Sequence, residues 1–340
     1  MQFQINQADF QIKPKLICMT PVRNEAWCLD AFLISTSLWA DYIIIADHNS
    51  TDGSREIALK YPKVILIKNT AINYDENERQ KLLIKEARRI EGPKILIALD
   101  ADEIFTANFM KTSDWQRILS SKPGEVFGLQ WANITPDKKH YFLSSFSYPW
   151  VFHDDGITEH KNYVRWIHSM RIPYPINADS GYYQVKDFKV FHFAWIDKKR
   201  TESKSRFYQC LVSLKESNEH FISLFRSYHK KKEKTKLIPP EWIENYQKTN
   251  FVLFDQLSPT RSLYWYDMVV KEQFEKHGFS KFKYLDIWDK NWIAEMKNNL
   301  VITDPRNLYI KFIHAYLRAT QNISSSIPIR LVDKLLKKMF

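Results

Sequence analysis

The first hundred residues alternate between short apolar runs and longer amphipathic stretches. Residues 15–20 (KLICMT) form an apolar run that stops at Pro21, and residues 25–40 then place Ala26, Leu29, Phe32 and Leu33 at helical spacing. Residues 42–47 (YIIIAD) are β-branched without polar alternation, the pattern of a strand buried on both faces. Ser50-Thr51-Asp52-Gly53-Ser54 supplies capping residues for the next helix. A third strand is predicted over 64–68, a second clear amphipathic helix over 76–90 and a fourth strand over 95–100 (ILIALD). This alternation predicts an α/β fold, an open and mostly parallel Rossmann-like sheet flanked by helices with right-handed crossovers. After Asp102 the rhythm changes. Residues 126–131 and 182–195 read as strands around a polar, aromatic stretch that carries Pro149, Pro173 and Pro175, and from Thr201 the pattern is mainly helical. Lys230-Lys231-Lys232 and Pro239-Pro240 read as a linker. The expected organisation is a sheet domain over 1–200 and a mainly helical segment over 201–340.

Composition narrows the partners. Lys and Arg outnumber Asp and Glu by 50 to 39, a net charge of +11 that favours anionic partners: nucleic acid, anionic lipid or a phosphorylated substrate. No zinc-finger, RNA-recognition or helix-turn-helix pattern accompanies the charge, so nucleic acid is not expected. Cys18, Cys28 and Cys210 are an odd set without metal-ligand spacing, which predicts no disulfide framework and a reducing compartment. The first 14 residues lack a signal-peptide pattern, and no apolar run reaches the ~18 residues that cross a bilayer. The expected location is cytoplasmic.

In an open parallel sheet the ligand lies beyond the carboxyl ends of the strands. Thr20-Pro21-Val22-Arg23-Asn24-Glu25 follows the first strand, Asp47-His48-Asn49 the second and Asp100-Ala101-Asp102-Glu103 the fourth. Three strand ends therefore bring carboxylates to one edge, and such crowding needs a compensating cation. Oxygen ligands of this kind suit Mg²⁺ or Mn²⁺ shared with a diphosphate. The runs PVRNE, ADHNSTDGS and ALDADE, in this order and on these elements, resemble the inverting family 2 glycosyltransferases of the GT-A fold, which transfer sugar from nucleoside diphosphate donors. The resemblance covers about the first hundred residues, extends less specifically to Trp195, and does not reach the helical tail. It implies that Pro21, Arg23 and Glu25 line the nucleotide pocket, and that Asp47 hydrogen-bonds the base. It further implies that Arg79 lies near the donor, that Asp100 holds the ribose or a metal-bound water, and that Asp102 binds a divalent metal. His48-Asn49 departs from the small or acidic residues usual after that first Asp, and Glu103 gives D-x-D-E in place of D-x-D-D.

Two constellations lie downstream. His153-Asp154-Asp155-Gly156 falls on an expected loop, in the part of the chain from which the family draws the carboxylate that takes the acceptor's proton. Asp154 or Asp155 is the expected base, with Glu159, Asp179 and Asp187 next in line; Asp-Asp-Gly is also an ordinary turn. His192, in VFHFAW, alternates onto the strand face of Val190 and Ala194, and the resemblance implies that it completes the metal site. Trp150 and Trp166 suit either sugar stacking or core packing. The final stretch, 327–340, is a basic amphipathic helix able to lie on anionic lipid or on the protein's own body.

The resulting expectation is a metal-dependent hexosyltransferase with inversion at the transferred sugar. Its partners would be a nucleoside diphosphate sugar donor and a carbohydrate or lipid-linked acceptor, with a role in cell-surface polysaccharide or lipopolysaccharide synthesis and peripheral contact with the inner face of the membrane. Two other readings compete. A haloacid-dehalogenase-like phosphotransferase also ends a strand in Asp-x-Asp, but its second Asp is normally followed by Gly-Thr or a close relative near the chain start, whereas Glu103-Ile104 follows here. A non-catalytic nucleotide- or carbohydrate-binding module is opposed by the intact pair Asp100 and Asp102.

Overall fold

The computed structural model describes residues 13–71, 74–161, 169–174, 181–215, 219–229, 233–247, 253–255, 257, 264–296 and 301–339. Trp166, Pro175, Asp179 and the Lys230-Lys231-Lys232 run lie outside them. The chain divides into two units, Met1–Ile196 with Lys236–Ser258, and Asp197–Thr235 with Pro259–Phe340. The helical segment expected over 201–340 is therefore interrupted: residues 236–258 belong with the sheet.

The first unit follows the predicted alternation through β1 (Lys15–Val22), α1 (Ala26–Ser37), β2 (Tyr42–Asp47), α2 (Ser54–Ala58), β3 (Val64–Lys68), α3 (Glu76–Arg88) and β4 (Lys94–Ala98). These four strands run parallel in the order β3-β2-β1-β4. Their alternate residues serve two cores. Cys18, Ile43, Ile45, Ile95 and Ile97 pack with Leu29, Phe32 and Leu33 of α1, while Ile17, Met19, Ile44, Ala46 and Leu96 pack with Leu83, Ile84 and Ala87 of α3. Burial on both faces is why these strands read as continuous apolar runs. Because β2 and β3 lie on one side of β1 and β4 on the other, the strand order reverses between β1 and β4, and the carboxyl ends of these two strands are where open α/β sheets take their ligands.

Beyond β4 come β5 (Glu103–Phe105), α4 (Ser113–Leu119), β6 (Val126–Ile134), β7 (His140–His153), β8 (Tyr183–Gln184) and β9 (Val190–His192). β7 lies antiparallel against β4 and continues the sheet through β6, β9 and β5. The long β7 hides its strand character behind Pro149, which is tolerated because the ladder slips beside it: Phe127 pairs with Val151 and Gly128 with Pro149. The strand expected over 182–195 is two short strands followed by a 3₁₀ turn at Phe193–Trp195.

The chain then enters the second unit through α5 (Lys198–Lys215) and α6 (Phe221–Tyr228). It returns to the first for β10 (Lys236–Leu237), which pairs with β7, and α7 (Glu244–Gln247). It ends in the second unit with α8 (Trp265–His277), α9 (Lys290–Met296), α10 (Leu308–Thr320) and α11 (Ile327–Met339). There α5 meets α8 through Phe207 and Tyr266, 5.3 Å between ring centroids, and through the buried pair Arg206–Asp267 at 3.0 Å. Among the described residues no helix is long and apolar enough to cross a membrane. None of the three cysteines is in a disulfide.

Candidate active site

The loops after β1 and β2 are tied together by their own polar groups. Asn24 and Asn49 adopt positive φ (57° and 55°), a conformation that asparagine tolerates better than most side chains. Asn24 N–H donates to Ser50 Oγ at 2.9 Å, and its side-chain oxygen accepts from Thr51 N–H at 2.7 Å. Asp52 then acts as the missing cap of α1: its carboxylate accepts from Ala26 N–H at 2.9 Å while holding the Ser54 hydroxyl at 2.6 Å. The N-S-T-D-G-S run thus shapes the P-V-R-N-E run, which explains why the two motifs occur together. Glu25 accepts from the Trp27 indole at 2.6 Å. Asp47 is buried at the end of β2 and pairs with Arg55 at 2.7 Å. His48 donates from Nε2 to the Ala71 carbonyl at 2.8 Å; burial, then the nearby Arg23 and Arg79 cations, hold its pKa below the ordinary value against that hydrogen bond and Asp47. Arg23, Arg79, Asp47 and His48 therefore share one electrostatic neighbourhood. Arg79 lies over the Tyr74 ring at 5.7 Å.

The second half of the site lies at the end of β4. Ligand atoms of Asp102, Glu103 and His192 all fall within 4.8 Å of one another, because β5 pairs with β9 so that Glu103 sits opposite His192. His192 stacks on Trp131, with centroids 4.5 Å apart. Its Nδ1 lies 2.8 Å from Asn133 Oδ1, which also accepts from the Trp195 indole at 3.0 Å. An indole nitrogen can only donate, so the atom of Asn133 that meets it is oxygen, and His192 Nδ1 must carry the proton. In the neutral ring this leaves the lone pair on Nε2, which faces Asp102 Oδ2 at 4.0 Å. That separation exceeds a hydrogen bond and suits two ligands of one small cation, with Asn133 as the outer group that fixes the tautomer. Glu103 does not share this task. Its two oxygens accept from Asp100 N–H, the Trp131 indole and Arg171. Burial, with Asp100 and Asp102 nearby, pushes its carboxyl pKa up to about 7 against the pull of Arg171.

Arg171 belongs to this cluster although nothing in the sequence points to it. Its guanidinium bonds Asp100 at 2.7 Å and Glu103 at 2.6 and 3.0 Å, with Trp150 4.7 Å from it. Burial alone would lower its pKa, but Asp100 and Glu103 outweigh that and raise it. Its segment is anchored by Ser169 N–H on Glu76 and by the Met170 carbonyl on His160. Nothing in the local pattern around it signals a site; only the long-range return of the chain brings it there. Trp150 is buried and serves as the platform for this cation, which excludes it as an open sugar-stacking face.

The expected base is corrected. β7 runs antiparallel to β4 with Ile97 opposite Val151 and Ile95 opposite His153, so Asp154 and Asp155 emerge at the amino end of β4. Asp154 N–H bonds the Lys94 carbonyl, and Asp100 lies six residues further along, about 20 Å for extended chain. Both acids are also committed to structure. Asp154 holds Arg88 at 2.7 Å, and Asp155 caps its turn through Thr158 and Ile157. Of the others, Asp187 is bonded by Ser113 at 2.7 Å, and Glu159 is exposed.

No family model and no curated protein matches this chain. Solved structures do. Glucosyl-3-phosphoglycerate synthase from Mycobacterium tuberculosis, in complex with Mn²⁺, UDP and glucosyl-3-phosphoglycerate, is 16% identical at a TM-score of 0.28, over 35% of this chain and 44% of that one. The chain thus spans less than half the length of that synthase. A 4-diphosphocytidyl-2C-methyl-D-erythritol synthase is 12% identical at 0.29, over 42% and 76%. TarS 1–349 of S. aureus is 11% identical at 0.39, over 96% and 92%.

Proposed function

We propose that this protein is a glycosyltransferase that uses a nucleoside diphosphate sugar and a divalent metal. The observation that carries this reading is the pair Asp102 and His192 at the strand-order reversal, the imidazole locked by Asn133 into the tautomer that a metal requires. Asp102 and His192 would hold Mn²⁺ or Mg²⁺, few protein ligands being usual where phosphate oxygens complete the shell. When bound, the ion supplies Lewis-acid stabilisation of a departing diphosphate. The chain's own residues position the donor: Pro21, Arg23 and Glu25 around the nucleotide, Asp47 at the base and Arg79 toward the phosphates. Asp100 would meet the ribose or a metal-bound water once its bond to Arg171 is exchanged.

Within this reading we assign a hexose donor, inversion at the transferred carbon, and a carbohydrate or lipid-linked hydroxyl as acceptor. Cell-surface polysaccharide or lipopolysaccharide synthesis, in the cytoplasm or at the inner face of the membrane, is the setting this would serve. The test is a screen of nucleotide sugars by thermal denaturation with and without Mn²⁺. A cognate donor at 100 times its dissociation constant should add ~2.7 kcal/mol, and only with the metal present. Stabilisation that ignores the metal, or none with any nucleotide sugar, would overturn it.

A further inference from the structure

The last two helices of the second unit leave apolar faces uncovered. α10 buries Ile310, Ile313, His314 and Leu317, while Leu308 (86% exposed) and Phe312 (73%) form a stripe with Ala315 and Ala319 on the opposite side. In α11 only Asp333 is buried. Ile327 (73% exposed), Leu331, Leu335 (62%) and Met339 repeat every four residues and so line one ridge of the helix. Ile323, between the two helices, is exposed as well.

The charge on these helices is one-signed. Residues 308–339 contain Lys311, Arg318, Arg330, Lys334, Lys337 and Lys338 against a single acid, Asp333. That acid is turned inward, bonded by Arg226 at 2.8 Å and by the Tyr316 hydroxyl at 3.2 Å, so it offers nothing to the outer surface. Arg318 is tied to Asp286 and Lys337 to Ser223. Arg330, Lys334 and Lys338 are exposed and repeat every four residues along the ridge beside the apolar one.

We propose that α10 and α11 form a docking surface for an anionic lipid bilayer. An apolar ridge beside a cationic ridge is what a helix lying in the bilayer interface presents, the first entering the acyl boundary and the second meeting the headgroups. A second copy of this chain would be a poor occupant, because it would bring the same cations to the same face. The inference concerns the second unit alone and does not depend on the glycosyltransferase reading. It extends the surface from the C-terminal helix to α10, where Lys311 pairs with Asp304 at 3.5 Å, and identifies the inward turn of Asp333 as what leaves the outer face of α11 basic.

The test is co-sedimentation of the full chain with vesicles of phosphatidylcholine alone and of phosphatidylcholine with about 30% phosphatidylglycerol. The protein should pellet with the anionic vesicles and stay in solution with the neutral ones. Leu331→Glu with Leu335→Glu, and separately Lys334→Glu with Lys338→Glu, should each lower partitioning by more than about tenfold while melting like the native protein. All four side chains are exposed, so neither pair threatens the fold. Native-like binding by both pairs, failure of the native chain to pellet with anionic vesicles, or a dimer in light scattering that Leu331→Glu with Leu335→Glu abolishes while vesicle binding is absent, would each overturn the proposal.

Discussion

The two ends of β4 carry acidic clusters of similar composition and opposite character. At the amino end, Asp154 meets Arg88 in a two-pronged pair and Asp155 is saturated by its own turn. At the carboxyl end, Asp100 and Glu103 hold a single guanidinium, Arg171, while Asp102 faces the His192 imidazole at 4.0 Å. The first cluster is taken up by one ion pair and the hydrogen bonds of its own turn. The second brings three acids to one strand end beside an imidazole, a setting that a divalent cation could join. An acid doublet on a loop is therefore not a site by its residue types; which end of the parallel strands it emerges from decides.

Substitutions can break this contrast at either end. The largest effect is expected from Asp102→Asn, which should abolish metal-dependent donor binding in calorimetry, a loss beyond about 10³-fold, while chemical denaturation shows stability unchanged or raised as repulsion is relieved. Unaltered binding would remove the metal assignment. Asp154→Asn should do the reverse. It leaves Arg88 without its counter-charge and should cost about 3 kcal/mol in urea denaturation with donor affinity intact. Weakened donor binding without a stability loss would return this acid to the active site.

Asn133→Ala tests whether the imidazole is set from behind. Metal affinity should fall about 10–100-fold, since the proton on His192 Nδ1 loses its acceptor. Parity with the native protein would show that Asn133 only packs. The smallest effect belongs to Asp155. Burial raises its pKa, but hydrogen bonds from Thr158 and Ile157 outweigh this and hold it below the ordinary carboxylate value. A depressed folded pKa stabilises above the unfolded value of about 4 and loses that contribution as pH falls through the folded value. Asp155→Asn should accordingly lower stability at pH 7, with the gap to the native protein closing below about pH 4. A gap independent of pH would assign the effect to lost packing.

Much of the carboxyl end was legible in the sequence because its parts are local. A buried parallel strand is an unbroken apolar run, and the residues just past its carboxyl end fall at the ligand edge. That rule alone puts Asp47, Asp100 and Asp102 there. Asp154 and Asp155 follow a strand that returns antiparallel, and the Pro149 slip hides that strand, so no local pattern shows that their loop emerges at the amino end of β4. Arg171 was illegible for a different reason. Its partners lie 68 and 71 residues away, and no periodicity encodes such a return.

The return of residues 236–258 to the first unit bears on how the protein is made. Tyr246 is fully buried there, its hydroxyl bonded to the Phe105 carbonyl at 2.5 Å and to Ser35 at 2.9 Å, and Leu253 and Leu257 join the same core. A ribosome that has released the first 200 residues has thus delivered strands β1 to β9 but not the side chains that seal the sheet's larger core. At 5–20 residues per second, the remaining stretch to residue 258 takes roughly 3–12 s. During that interval α1 and β5 wait with an unfilled seam. A gene fragment cut near residue 200 would make that wait permanent, and its product should be recovered in aggregates rather than as a free-standing sheet domain.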